Sequence, residues 1–164
     1  MSIRFVNRFE FKNFLLADEY KNSLMPCECH LPPESFLISV SDTIYEQNEI
    51  EQFIAFAGIP PDRYIALNFP DNSRGINTWD AKRLVEFIKR SGRGDFIVHC
   101  FMGISRSGAI AKFIDEFYEM NDPLLENYTI YNKQVYNSLN AVIGNDIASF
   151  YAELEKLDRP SFSE

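Results

Sequence analysis

Residues 95–108 read Asp95-Phe96-Ile97-Val98-His99-Cys100-Phe101-Met102-Gly103-Ile104-Ser105-Arg106-Ser107-Gly108. Phe96, Ile97 and Val98 form a short apolar run bounded by turn-forming residues, the pattern of a strand buried on both faces. Cys100 then falls at the strand's carboxyl end. Beyond Arg106, the residues Ile110, Phe113, Ile114, Phe117 and Tyr118 recur at helical spacing, and Asp122-Pro123 is expected to end that helix. A strand, a tight loop and a helix therefore follow one another around Cys100 and Arg106.

The same reading extends outward. Apolar runs at 36–40 and 64–69 predict two more buried strands, set between Pro32-Pro33, the Gly58–Pro61 turn signals and the Pro70–Gly75 signals. In 78–90, Ala81, Leu84, Val85 and Ile88 share one helical face, with Thr78 as the expected cap and Gly92 as the terminator. Strand 64, helix 78, strand 96 and helix 110 give a βαβα order. The fold class that follows is α/β, with a central, mostly parallel twisted sheet of four or five strands flanked by helices. Near the end, Ile147, Phe150, Tyr151, Leu154 and Leu157 mark a helix, and Tyr131, Val135 and Leu139 another before it. The first 60 residues are less patterned; a helix is expected over 49–57. No repeat or Gly/Ser linker divides the chain, so 1–164 is expected to be one domain.

Composition bounds the function. The chain has 164 residues, of which 46% are hydrophobic and 15% aromatic, which excludes a disordered chain. Sixteen Lys and Arg against 24 Asp and Glu give a net charge of −8. That balance lacks the broad basic footprint needed for nucleic acid or an anionic membrane, but allows a small local anion pocket. Three cysteines cannot close a disulfide framework, which points to a reducing compartment. The opening residues hold no apolar run of signal-peptide length, and no stretch reaches a membrane span, so a soluble cytoplasmic protein is expected.

Only the 95–108 segment carries evident chemistry. A loop of five residues between Cys100 and Arg106 exposes successive backbone N–H groups on its concave side, above a helix N-terminus. Arg106 adds a planar fork for two oxygens of one phosphoryl group. Such a field favours the thiolate of Cys100, the form that attacks. By default a lone cysteine at a strand end is a small buried hydrophobe, and a lone arginine opening a helix is a solvated charge. The two at this spacing, with His99, Gly103 and Gly108 beside them, leave that default. Gly103 permits a positive φ in the loop, and Gly108 is expected to let the helix approach the strand.

His99-Cys100-x-x-Gly103-x-Ser105-Arg106-Ser107 resembles the HC-x5-R-S/T signature loop of the cysteine-based protein tyrosine phosphatases, most nearly the small dual-specificity branch. The resemblance covers about a third of the chain, 64–118. It implies a phosphomonoester hydrolase working through a phosphocysteine intermediate, without metal or organic cofactor. By resemblance Cys100 is the nucleophile. Arg106 and the amides of Phe101, Met102, Gly103, Ile104 and Ser105 bind the phosphoryl group. Ser107 stabilises the thiolate as it leaves, and His99 orients the loop.

The departing oxygen also needs a proton, which a carboxylic acid on a loop can supply. Asp95 sits at the wrong end of its strand. Asp80 lies in a helical first turn, where its natural work is stabilising that terminus. Asp71 follows a buried strand at its carboxyl end, between Pro70 and Gly75, where open α/β sheets bind ligands. In the dual-specificity enzymes the acid similarly precedes a helix that leads to the signature strand. Asp71 is therefore taken as the acid, with Asp80 as the alternative.

The apolar Phe101, Met102 and Ile104 stand where phosphatases of inositol phospholipids tend to carry basic residues, so a singly phosphorylated protein or peptide is the expected partner. RNA 5′-triphosphates are disfavoured likewise. A binding-only relative that holds phosphoproteins without turnover, and a thiolate enzyme acting on another oxyanion such as arsenate, are the alternatives. Cys27, Cys29 and His30 are close enough to suggest a metal but lack a fourth ligand, so no metal site is expected. The 132–140 stretch is weighed as the helical segment that packs behind the signature loop in that family, with Asn132 hydrogen-bonding the loop, but Asn132 is read as a surface residue, and the tyrosines from Tyr118 to Tyr151 as core and boundary residues.

Overall fold

The computed structural model describes residues 1–16 and 34–158. Four strands, β1 (Ile3–Val6), β2 (Phe36–Ser41), β3 (Tyr64–Asn68) and β4 (Phe96–His99), form one all-parallel sheet in the order β1-β4-β2-β3. The α/β class expected from the sequence is the one observed. Helices α1 (Arg8–Leu16) and α2 (Ile44–Phe56) cover one face. There Phe11, Phe14 and Leu15 of α1 and Ile50 and Ile54 of α2 pack on Val6, Leu37 and Ile97. Helices α3 (Thr78–Ser91), α4 (Arg106–Phe117), the short α5 (Pro123–Glu126) and α6 (Lys133–Asp158) follow the remaining strands. Leu84 and Ile88 of α3, Ile110 and Ile114 of α4, and Val135 and Leu139 of α6 pack on Ile38, Val40, Phe96 and Val98 on the other face. The alternation Leu37 down, Ile38 up explains why β2 reads as nearly continuously apolar, with only Ser39 and Ser41 interrupting it. Each such side chain fully withdrawn from water contributes about 1.5–3 kcal/mol.

Several boundaries differ from the sequence expectation. Helix α3 is capped by Asn77, not Thr78; the Asn77 side chain accepts the Asp80 N–H, and Thr78 is the first helical residue. Gly92 does terminate it, at φ 68°. Helix α2 starts at Ile44, earlier than 49, because Thr43 caps it through the Glu46 N–H. Helix α4 stops at Phe117; Asp122-Pro123 instead begins α5, with Asp122 accepting the Leu124 N–H. The two helices expected after 130 are one, α6, which continues through Gly144 without a break. In its second half Ile147, Phe150, Tyr151, Leu154 and Leu157 are exposed, so that apolar series marks a helix but not a buried face. Tyr118, Tyr128, Tyr131 and Tyr136 are boundary residues, whereas Tyr151 is exposed.

Chain connectivity places the site. Strand β4 lies between β1 and β2, and Val6 and Ser39 both register with His99. The helix after β4 covers one face, while those after β1 and β2 cover the opposite one. Crevices therefore open on both sides of the β4 carboxyl end, the position at which parallel sheets bind ligands. Among the described residues no helix is long and apolar enough to cross a membrane.

Candidate active site

Cys100 leaves β4 at the edge where all four strands end and is 1% exposed. Its Sγ lies 3.2 Å from the Ser107 Oγ, in the first turn of α4. Between them, residues 101–105 curl into a loop whose main-chain N–H groups are paired with no acceptor among the described residues. The first N–H groups of α4 lack intrahelical partners by construction and join the same concave surface. Gly103 makes the curl, at φ 68°. A Cβ there would lie 2.3 Å from the Asn7 nitrogen and 2.4 Å from the Val6 carbonyl carbon, both main chain. Only glycine fits between the loop and the end of β1. Gly108 differs from expectation: the space at its missing side chain is filled by the ring of Tyr128, 2.5 Å away, rather than by a strand. Tyr128 also donates its hydroxyl to the Ile104 carbonyl at 2.7 Å and packs edge-on to Phe5. Burial, then Cys100, raises the Tyr128 pKa, so its hydroxyl keeps the proton it donates.

Arg106 opens α4 yet is buried, because partners from two other strand ends enclose it. Its Nη1 donates to the Phe69 carbonyl at 2.6 Å and pairs with Asp42 Oδ1 at 2.6 Å. Its Nε is buried and unpaired. A buried guanidinium donor without a partner costs free energy unless an acceptor is brought to it. Asp42 went unnoticed in the sequence, although it follows a buried strand just as Asp71 does.

His99 is fully buried and stacks on Phe11, with centroids 4.0 Å apart. Its Nε2 lies 2.6 Å from the Ser39 Oγ. Burial, above all, pushes its pKa down to about 3, and Arg8, Arg106 and Lys12 act in the same direction. The Cys100 main chain opposes the shift, although Nδ1 has no partner at hydrogen-bonding geometry. A neutral ring follows, hydrogen-bonded through Nε2 to the Ser39 hydroxyl, and it holds the strand end without carrying charge.

Asp71 is exposed, yet its carboxylate meets the loop. Oδ1 accepts from the Ser105 hydroxyl at 2.9 Å and from the Asn132 side-chain amide at 2.8 Å. Asn132 is no mere surface residue. Its amide also donates to the Asn72 carbonyl, its N–H to the Ser105 carbonyl, and its Oδ1 accepts the Gln134 and Val135 N–H groups that open α6. Gly75, at φ 64°, packs the same segment against Gln134. Both hydrogen bonds to Asp71 fall on Oδ1, leaving Oδ2 open. Asp80, by contrast, is spent on its helix: it pairs with Arg83 at 3.2 Å and accepts from Asn77 at 3.0 Å. Asp95 accepts from Ser2 at the opposite edge of the sheet.

The structure thus brings Cys100, residues 101–105, Arg106, Ser107, His99 and Asp71 together, and adds Asp42, Asn132, Tyr128 and Ser39. Cys27, Cys29 and His30 lie outside the described residues, and among those described no group of His, Cys, Asp and Glu is arranged to hold a metal. A separate cavity of about 590 Å³ beside α3, lined by Trp79, Lys82, Arg83 and Arg90, includes no residue of the loop. Comparison with protein-family models, curated proteins and solved structures returns no match.

Proposed function

We propose that the chain is a cysteine-dependent protein phosphatase that hydrolyses phosphotyrosine, and also phosphoserine or phosphothreonine, through a phosphocysteine intermediate. One observation carries the reading: on the loop that joins buried Cys100 to buried Arg106, the Nε of Arg106 is unpaired and the N–H groups of residues 101–105 meet no acceptor among the described residues. Such a set of donors suits a tetrahedral oxyanion, and it stabilises charge that grows as the phosphoryl group transfers.

In the first step the Cys100 thiolate attacks phosphorus. The bond to the leaving oxygen breaks, and Asp71, protonated on the open Oδ2, gives that oxygen its proton. In the second step Asp71 takes a proton from water, whose oxygen attacks phosphorus. The S–P bond then breaks, inorganic phosphate leaves, and the Ser107 hydroxyl donates to the returning thiolate. No metal or organic cofactor is needed for either step.

The test is release of inorganic phosphate from phenyl phosphate and from phosphotyrosine, phosphoserine and phosphothreonine peptides, with and without chelator. Cys100→Ser is expected to abolish release while keeping the circular dichroism of the fold. Undiminished release by that variant overturns the reading. Tight phosphopeptide binding without release by the wild-type chain selects the binding-only alternative.

A further inference from the structure

We propose that the crevice on the β1 side of the phosphate loop is a substrate subsite for a large apolar side chain within two residues of the phosphorylated one; this rests on the phosphatase reading above. A cavity of about 360 Å³ opens there, lined by Asn7, Arg8, Phe9, Lys12, Phe101 and Met102. That size is near the lower end of small-ligand sites, about 300–1,000 Å³, and suits a single side chain.

The cavity is fixed to the chemistry. The Arg8 N–H donates to the Phe101 carbonyl at 3.2 Å, and Gly103 abuts the main chain of Val6 and Asn7. Phe101 and Met102 directly follow Cys100, so at about 3.8 Å per residue the cavity is within reach of the residues flanking an ester seated on the sulfur.

Its charges are already met. Arg8 pairs with Glu46 at 3.2 Å and Glu49 at 3.1 Å, and Lys12 pairs with Glu49. Two cations face two carboxylates, so no surplus positive charge calls for a second phosphate. The uncovered surface is apolar: Phe9 is 72% exposed, Met102 62% and Phe101 52%. Single exposed apolar residues are ordinary, but three around one depression beside a reaction centre form a binding surface.

The experiment uses the full chain and phosphotyrosine peptides carrying Ala, Leu, Phe or Asp at each of the two positions on either side. In the wild type, Leu or Phe at one position is expected to raise kcat/KM about tenfold or more over Ala, chiefly through KM. Phe9→Ala should bring that ratio to within about twofold, while Phe9→Leu retains most of it and phenyl phosphate turnover stays unchanged in both. A preference that survives Phe9→Ala, no apolar preference at any position, a preference for Asp, or faster release from a phosphoinositide than from every peptide overturns the subsite. If phenyl phosphate is turned over and the peptides show no such preference, the subsite alone fails. If phenyl phosphate is untouched, the catalytic reading fails with it.

Discussion

Oδ1 of Asp42 lies 2.6 Å from Nη1 of Arg106, joining the end of β2 to the head of α4 across the crevice. The Arg106 side chain is 4% exposed and that of Asp42 39%, so the cation is enclosed and its counter-ion faces water. Asp42 thus holds the guanidinium in one orientation, with Nε left unpaired. Asp42→Ala is expected to lower kcat/KM for phenyl phosphate by about a hundredfold, because small misplacements of an oriented group cost that much. The loss should appear more in KM than in kcat, and Asp42→Glu should recover part of it. Solvent at Asp42 limits the stability cost to about 1–2 kcal/mol, measured by urea unfolding. Unchanged kinetics in Asp42→Ala would remove its positioning role.

Asp71 and Asn132 are coupled through Oδ1. If Asp71 donates the proton, Asp71→Asn should reduce kcat on phenyl phosphate by about a hundredfold to ten-thousandfold. The reduction should be smaller on 4-nitrophenyl phosphate, whose leaving oxygen needs the proton less. Asn132→Ala frees the segment without removing the acid and is expected to cost about tenfold. A silent Asp71→Asn together with an inactive Asp80→Asn would transfer the acid role to Asp80.

Gly103→Ala tests the loop itself. The position combines a φ of 68° with main-chain atoms at 2.3 and 2.4 Å from the added carbon. The conformation alone costs about 1–3 kcal/mol, and rigid backbone cannot move aside cheaply. We expect a loss of at least that size in urea unfolding, with phosphate release reduced further than stability alone accounts for. Gly144→Ala is the control: nothing lies within 4 Å, and alanine should slightly stabilise α6.

What was legible in the sequence follows from how local each feature is. Strands β2, β3 and β4 are nearly continuous apolar runs between turn residues, because both their faces are buried. Strand β1 escaped notice because it is an edge strand whose Arg4 points to solvent, so its four residues show no run. Cys100, Arg106 and Ser107 share one strand–loop–helix unit, and Asp71 could be chosen by its place after a strand. Asp42, Tyr128 and Asn132 reach the loop only through the topology of the sheet, from residues far away in the chain. For Asn132 the signal was ambiguous, since a cap that opens α6 and a surface asparagine look alike. The exposed series after Ile147 shows the same limit: periodicity identifies a helical face, and only packing tells what covers it.

The buried His99 gives the fold a pH dependence of known sign. Its pKa is pushed down to about 3 when folded, against 6.5 for an ordinary histidine. Between those values the unfolded chain binds a proton that the folded chain does not. This contribution to stability is therefore complete above about pH 6.5 and is lost as pH falls toward 3, at about 1.4 kcal/mol per unit. By pH 5 the loss is about 2 kcal/mol, in a window where most carboxylates remain ionised. His99→Asn removes the titrating ring, so its unfolding free energy should fall less between pH 7 and pH 5 than that of the wild type, by about that amount. Comparing the two proteins cancels His30, the only other histidine. The variant should be less stable at pH 7, where the stacking on Phe11 and the Ser39 bond are lost, and the difference should narrow toward pH 5. Parallel pH profiles for the two proteins would show that His99 is protonated in the folded state, and the neutral ring joining Ser39 to the Cys100 strand would have to be abandoned.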